Sequence, residues 1–157
     1  METLIKRVVV PIDFSEASER AGTYAAMLAR QLRASVHFVH AMTPPDGPRA
    51  EREYWAIRHR LVAVSDRVAS GVERSSEIRQ GEPADAISAA VVDYGADLVV
   101  MSTHGRSGLS HLLMGSIAEH VIRSVHCPVL VVRDCGQVHV YKPVESESVS
   151  AHEVAHA

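Results

Sequence analysis

Leu98-Val99-Val100-Met101-Ser102-Thr103-His104-Gly105-Arg106-Ser107-Gly108 leads through Leu112-Leu113-Met114 to Gly115-Ser116-Ile117-Ala118-Glu119. Four apolar residues follow Ala96-Asp97, a run too short for a helix and unbroken by polar positions. A strand buried on both faces of a parallel sheet has this composition. The small-residue loop after it carries Gly105 and Gly108, where a backbone can approach a ligand or take positive φ. Ser116 stands three residues before Glu119, and Ser-x-x-Glu predicts a capping box that starts a helix. Strand, glycine loop and helix N-terminus together form an anion site, with phosphate the usual occupant. Glycines after a strand can also serve only to turn the chain, and most capped helices bind nothing. The stretch is not a Walker A loop, because the only lysines are Lys6 and Lys142, and it is not Gly-x-Gly-x-x-Gly either. Charge assistance to an anion would come from Arg106.

Working outward, Arg7-Val8-Val9-Val10-Pro11-Ile12 reads as a first buried strand. Asp13 follows, and Ser15 caps a helix with Ala17, Ala21, Ala25, Leu28 and Leu32 on its apolar face. Asp13 has two readings: a ligand or cation contact at the strand's carboxyl end, or a turn residue that hydrogen-bonds its own loop. Position alone favours the turn. Ser35 to Met42 is the second strand, with His37 and His40 on opposite faces. Thr43 to Pro48, with three prolines and a glycine, is a loop. Tyr54, Ile57, Leu61, Val64 and Val68 then recur at helical spacing. Val72 to Arg79 alternates and is polar, which predicts an edge strand. Pro83 opens a helix that buries Ile87, Ala90, Val91 and Tyr94 and stops at Gly95. After the opening stretch, Ile117, Val121 and Val125 share a helix face that Pro128 ends, and Val129-Leu130-Val131-Val132 is a fifth strand. Five alternations of strand and helix mean a parallel sheet with helices on both faces.

The chain of 157 residues is long enough for one domain with its own core. A formal net charge of −3 gives no reason to expect nucleic acid or an anionic membrane as partner. The sequence has neither a transmembrane-length apolar run nor a signal-peptide core, so a cytoplasmic protein is expected. Cys127 and Cys135 form no disulfide framework. The histidines fall into no metal-ligand spacing, which argues against a dedicated histidine metal site.

Residues 5 to 133 resemble the universal stress protein family. Its nucleotide-binding members carry Gly-x-x-Gly-x9-Gly-[Ser/Thr]; here Gly105, nine further residues and Gly115-Ser116 match, while Ser102 stands at the first glycine. The resemblance implies a single Rossmann-like α/β domain over residues 1–134, with strand order 3-2-1-4-5. Strands 1 and 4 then flank the switch point where open α/β sheets bind ligands. It implies ATP, or another adenine nucleotide, with Mg. The contacts it implies are Pro11, Ile12, Asp13 and Ala41 on one side of the crevice. On the other stand Met101, Ser102, His104, Gly105, Arg106, Gly108, Gly115, Ser116 and Ile117. Asp13 and Ser116 would meet Mg through the nucleotide phosphates. Gly115 would let the helix meet those phosphates, so a β-branched side chain there should block them without unfolding the protein.

Residues 135–157 lie outside the resemblance. Val138 to Tyr141 alternates like a short strand, and the polar stretch from Pro143 is expected to be disordered. An exposed apolar strand at Val129–Val132 needs a cover. A second subunit or the Gln137–Tyr141 segment could supply it, and the resemblance favours a homodimer centred on Val129–Val132. Three functions remain open: a nucleotide-binding regulatory module, a slow ATP hydrolase with His104 as the candidate helper, and a dimeric scaffold that has lost nucleotide binding.

Overall fold

The computed structural model describes residues 4–103, 114–133 and 138–142. Three valines in a row open it: Val8, Val9 and Val10 are wholly buried. Side chains alternate across a strand, so Val8 and Val10 enter one hydrophobic cluster and Val9 the other. Their strand is β1, Arg7–Pro11. The remaining elements are α1 (Glu16–Leu32), β2 (Ser35–Met42), α2 (Ala50–Val68), β3 (Arg74–Gln80), α3 (Pro83–Tyr94), β4 (Leu98–Ser102), α4 (Ser116–Ser124), β5 (Val129–Val132) and β6 (Val138–Tyr141). The sheet runs β3-β2-β1-β4-β5-β6. Its first five strands are parallel, as expected, and β6 is added antiparallel to β5.

Helices α1 and α2 cover one face and α3 and α4 the other. The face of α1 keeps the expected Ala21 and Ala25 and adds Ala26 and Ala29, while Leu28 and Leu32 are only partly buried. Small side chains let this helix lie close to the sheet. A Cβ on Gly22 would stand 3.2 Å from both Phe38 and Val68. The amino ends of β1 and β4 are clamped by Asp97. Its carboxylate accepts the Lys6 and Arg7 N–H groups at 2.9 Å, and its own N–H donates to the Arg7 carbonyl at 2.8 Å.

Three expectations about the last helix need correction. Ser116 does not cap α4; the cap is Gly115, and the Glu119 carboxylate accepts from Arg123 at 2.7 Å instead of reaching back. The buried face of α4 is Ala118 and Val121, while Ile117 is 41 % exposed. The helix ends at Ser124, short of Pro128, with Val125 in extended backbone.

The β5 edge is covered by the chain itself. Val129 pairs with Tyr141 and Val132 with Val138, so direct pairing of Val129–Val132 with a second subunit is not the arrangement found. Of the two covers the sequence offered, the tail supplies this one. The stretch from 143 onward lies outside the described residues.

β3 is the other edge, and ionic contacts hold it. Arg79 donates to Glu77 at 2.8 Å and to Asp93 of α3 at 2.7 Å, while His37 Nε2 stands 3.1 Å from the same Glu77 oxygen. Burial pushes the Glu77 carboxyl up, but the hydrogen bonds from Arg79 and His37, with the Arg79 charge, outweigh it and hold it below its ordinary value of 4.5. A depressed carboxyl stabilises the fold above the unfolded value, and that contribution is lost as pH falls through the folded value. Glu77→Gln should therefore lower the melting temperature near neutral pH, with the gap to wild type closing below about pH 4. A melting series from about pH 7 to about pH 3 checks this; a gap constant with pH would remove the charge from the account. A second expectation concerns β6. Ending the chain at Arg133 should expose the β5 edge and give species larger than the full-length protein forms, or insoluble protein, by light scattering, whereas a soluble monomer would show that the edge needs no cover.

Candidate functional site

The β1–β2 ladder continues to Pro11, paired with Val39, and the Ile12 N–H still donates to the Val39 carbonyl at 2.8 Å. The β4–β5 ladder likewise continues to Ser102, paired with Val132. Between β1 and β4, however, pairing covers only Val8–Leu98 and Val9–Val99. Beyond those positions each strand follows its own outer neighbour, and the carboxyl ends part. Pro11, Ile12 and Asp13 stand on one lip of this crevice, and Met101, Ser102 and Thr103 on the other. Ala41 lies beyond the end of β1, on the β2 side.

The far lip is closed by backbone. The Gly115 N–H donates to the Thr103 carbonyl at 3.0 Å, which sets the start of α4 beside the end of β4. A Cβ at Gly115 would sit 2.6 Å from that carbonyl oxygen, closer than real Cβ contacts allow. Glycine is required here for close approach, not for positive φ, since its φ is −59°. Because Gly115 has no side chain, it supplies no cap of its own to the first-turn N–H groups of α4, the feature that makes helix N-termini anion sites. Ser116 and Ile117, the first residues of that turn, are exposed.

Asp13 is a turn residue here. Its Oδ1 accepts from both the N–H and the hydroxyl of Ser15, and the Ser15 hydroxyl in turn caps α1 by accepting from the Ser18 N–H at 3.1 Å. Between them Phe14 takes φ +64°, a left-handed conformation costing on the order of 1–3 kcal/mol for a bulky residue. Its ring packs against His40 at 4.6 Å and beneath the Arg60 guanidinium at 4.3 Å, while His40 Nδ1 bonds the Ile12 carbonyl at 2.7 Å. These contacts hold the turn at the crevice mouth.

The structure thus brings Pro11, Asp13, Ser102, Gly115 and Ser116 to one crevice. Ile12 and Met101 belong there by backbone only, because their side chains are buried in opposite cores. His104, Gly105, Arg106 and Gly108 lie outside the described residues. Among the described residues no group of three His, Cys, Asp or Glu side chains could hold a metal. Thr103, Phe14, His40 and Arg60 were not legible as site residues. No local pattern marks a carbonyl that meets a glycine twelve positions on.

The universal stress protein family model matches residues 4–133. The chain belongs to the universal stress protein family. The universal stress protein MJ0531 of Methanocaldococcus jannaschii is 34 % identical over 143 residues, covering 84 % of each chain. The solved structure of MJ0577 from the same organism matches at TM-score 0.68 and 25 % identity, over 83 % of this chain and 96 % of that one. A universal stress protein solved in complex with cAMP matches at TM-score 0.65 and 26 % identity, over 82 % and 97 % respectively. No helix among the described residues is long and apolar enough to cross a membrane.

The Thr103–Gly115 closure corrects the expectation that a side chain at Gly115 acts on phosphate alone. Gly115→Ala should itself lower stability by about 1–3 kcal/mol, as overpacking does. Denaturant unfolding measures this; a variant as stable as wild type would show that the closure yields easily.

Proposed function

We propose that this universal stress protein is a regulatory module that binds an adenine nucleotide, with Mg·ATP as its ligand. The parting of β1 and β4 beside the N-terminus of α4 carries the reading. It offers a slot at the sheet's switch point with helix amide groups at one wall, which suits a phosphate-bearing ligand. That a family member was solved with cAMP supports an adenine nucleotide as the class. The backbones of Pro11 and Ile12 with Ala41 would line the base and ribose, and Gly115 and Ser116 would meet phosphate through α4. Gly105 and its neighbours would complete the phosphate wall. Mg would be held chiefly by phosphate oxygens, as is usual for that ion, with Asp13 and Ser116 as protein contacts. Ser102, at the first glycine of the family motif, would still permit this. A homodimer would use the outer edge of β6, where Val140 is 57 % exposed.

Because Asp13 also shapes the turn, Asp13→Asn is a sharper probe than alanine. The amide keeps an acceptor for Ser15 and removes the charge. If Asp13 meets the cation, Mg·ATP affinity should fall roughly tenfold, or about 1.4 kcal/mol, while adenosine is unaffected. Calorimetric titration of both ligands, with AMP and cAMP alongside, tests the proposal. Failure of the wild type to bind any of the four would overturn it in favour of a scaffold.

A further inference from the structure

On the opposite side of β2 from His40, three side chains from two strands meet. His37 is 8 % exposed and stacks on Tyr94 of α3, with ring centroids 4.5 Å apart and planes 18° from parallel. The Tyr94 hydroxyl is tied to Ser35 at 2.9 Å. His37 Nδ1 stands 2.7 Å from the Ser75 hydroxyl, and Nε2 stands 3.1 Å from Glu77 Oε1. Register explains the meeting: His37 is the ladder partner of Ser75, and Glu77 is two residues further along the same face of β3.

Chemistry assigns the protons. An ionised carboxylate only accepts, so the neutral imidazole carries its hydrogen on Nε2 and donates it to Glu77. Nδ1 then holds a lone pair, and the Ser75 hydroxyl donates to it. A serine whose hydroxyl donates to a histidine, itself oriented by a carboxylate, is the arrangement of an activated nucleophile. Arg79 anchors that carboxylate and is anchored in turn by Asp93. Ser75 is exposed, on the outermost strand.

A backbone donor is at hand as well. The Val36 N–H donates to the Glu73 carbonyl at 2.9 Å, and Val36 is the ladder partner of Arg74. In a parallel ladder Glu73, Ser75 and Glu77 therefore direct their backbone groups to β2. The N–H of Ser76 points away from the sheet. The N–H following the nucleophile is a common oxyanion donor in serine hydrolases.

From the Ser75–His37–Glu77 alignment on the exposed edge strand, we infer that Ser75 is a nucleophile for acyl transfer, acting on activated carboxylic esters. In the first step Ser75 Oγ bonds the acyl carbon while its proton passes to His37 Nδ1. The acyl–oxygen bond of the ester breaks, and the departing alcohol takes that proton. Water then attacks the acyl-serine by the same route, releasing the carboxylic acid and restoring the hydroxyl. This site is separate from the nucleotide crevice, and its test does not depend on it.

The test treats the folded full-length protein with a fluorophosphonate, maps the adduct by peptide mass spectrometry, and measures hydrolysis of p-nitrophenyl acetate. The expected adduct is on Ser75, absent in Ser75→Ala and in protein unfolded by urea. Loss of the general base in His37→Gln should slow labelling and hydrolysis about a hundredfold or more. Glu77→Gln, at a partly exposed position, should slow both by about tenfold and supplies this arm if the histidine variant does not fold. No adduct on the wild type, an adduct on another residue, or wild-type rates in a folded His37→Gln or Glu77→Gln protein would overturn the inference. The three side chains would then be only a polar staple between β3 and α3.

Discussion

Asp97 grips the amino end of β1 with three backbone hydrogen bonds, and the geometry of the crevice follows from that grip. From the clamp, β1 and β4 run side by side for two paired positions and then diverge toward different neighbours. Twist between adjacent strands accumulates along the sheet, so strands held at one end and committed to opposite neighbours at the other must open. The opening falls where the parallel order changes direction, and it needs no special residue at the crevice itself. It needs Val8, Val9 and Val10 to be apolar on both faces, because any polar side chain there would be buried without a partner.

Backbone lines the crevice on either side. The backbones of Ile12 and Met101 face the lips, while their side chains reinforce opposite cores. The left-handed Phe14 shows how firmly the near lip is held. An unfavourable conformation persists there because the Asp13–Ser15 bonds, the His40 ring and Arg60 all converge on it.

Much of the fold was legible because its cause is periodic. Runs such as Val8–Val10 and Leu98–Met101 read as strands covered twice, the polar alternation of Val72–Arg79 reads as an edge, and Pro83 and Gly95 punctuate α3 by their own backbone limits. Reading failed where the partner is distant. Ser116 and Glu119 satisfy the rule for a local cap, yet the Thr103 carbonyl takes Gly115 first and shifts the helix start by one residue. Ile117 fits the apolar spacing but sits in the turn facing out of the core. His37, Ser75 and Glu77 carry no motif in one dimension. They meet only because β3 pairs with β2 in one register, and a shift of one residue would send Ser75 and Glu77 to the other face.

The hydrogen bond from Gly115 to Thr103 also separates two kinds of selection. It ties together the ends of the stretch 104–114, so strand and helix are joined whatever the intervening chain contains. For a chain closed between fixed ends, doubling its length adds only about 0.6 kcal/mol of entropy. The stretch can therefore lengthen, shorten or change composition over evolutionary time, or be exchanged for a foreign sequence by an engineer. Such changes would leave the packing of α4 against the sheet as it is.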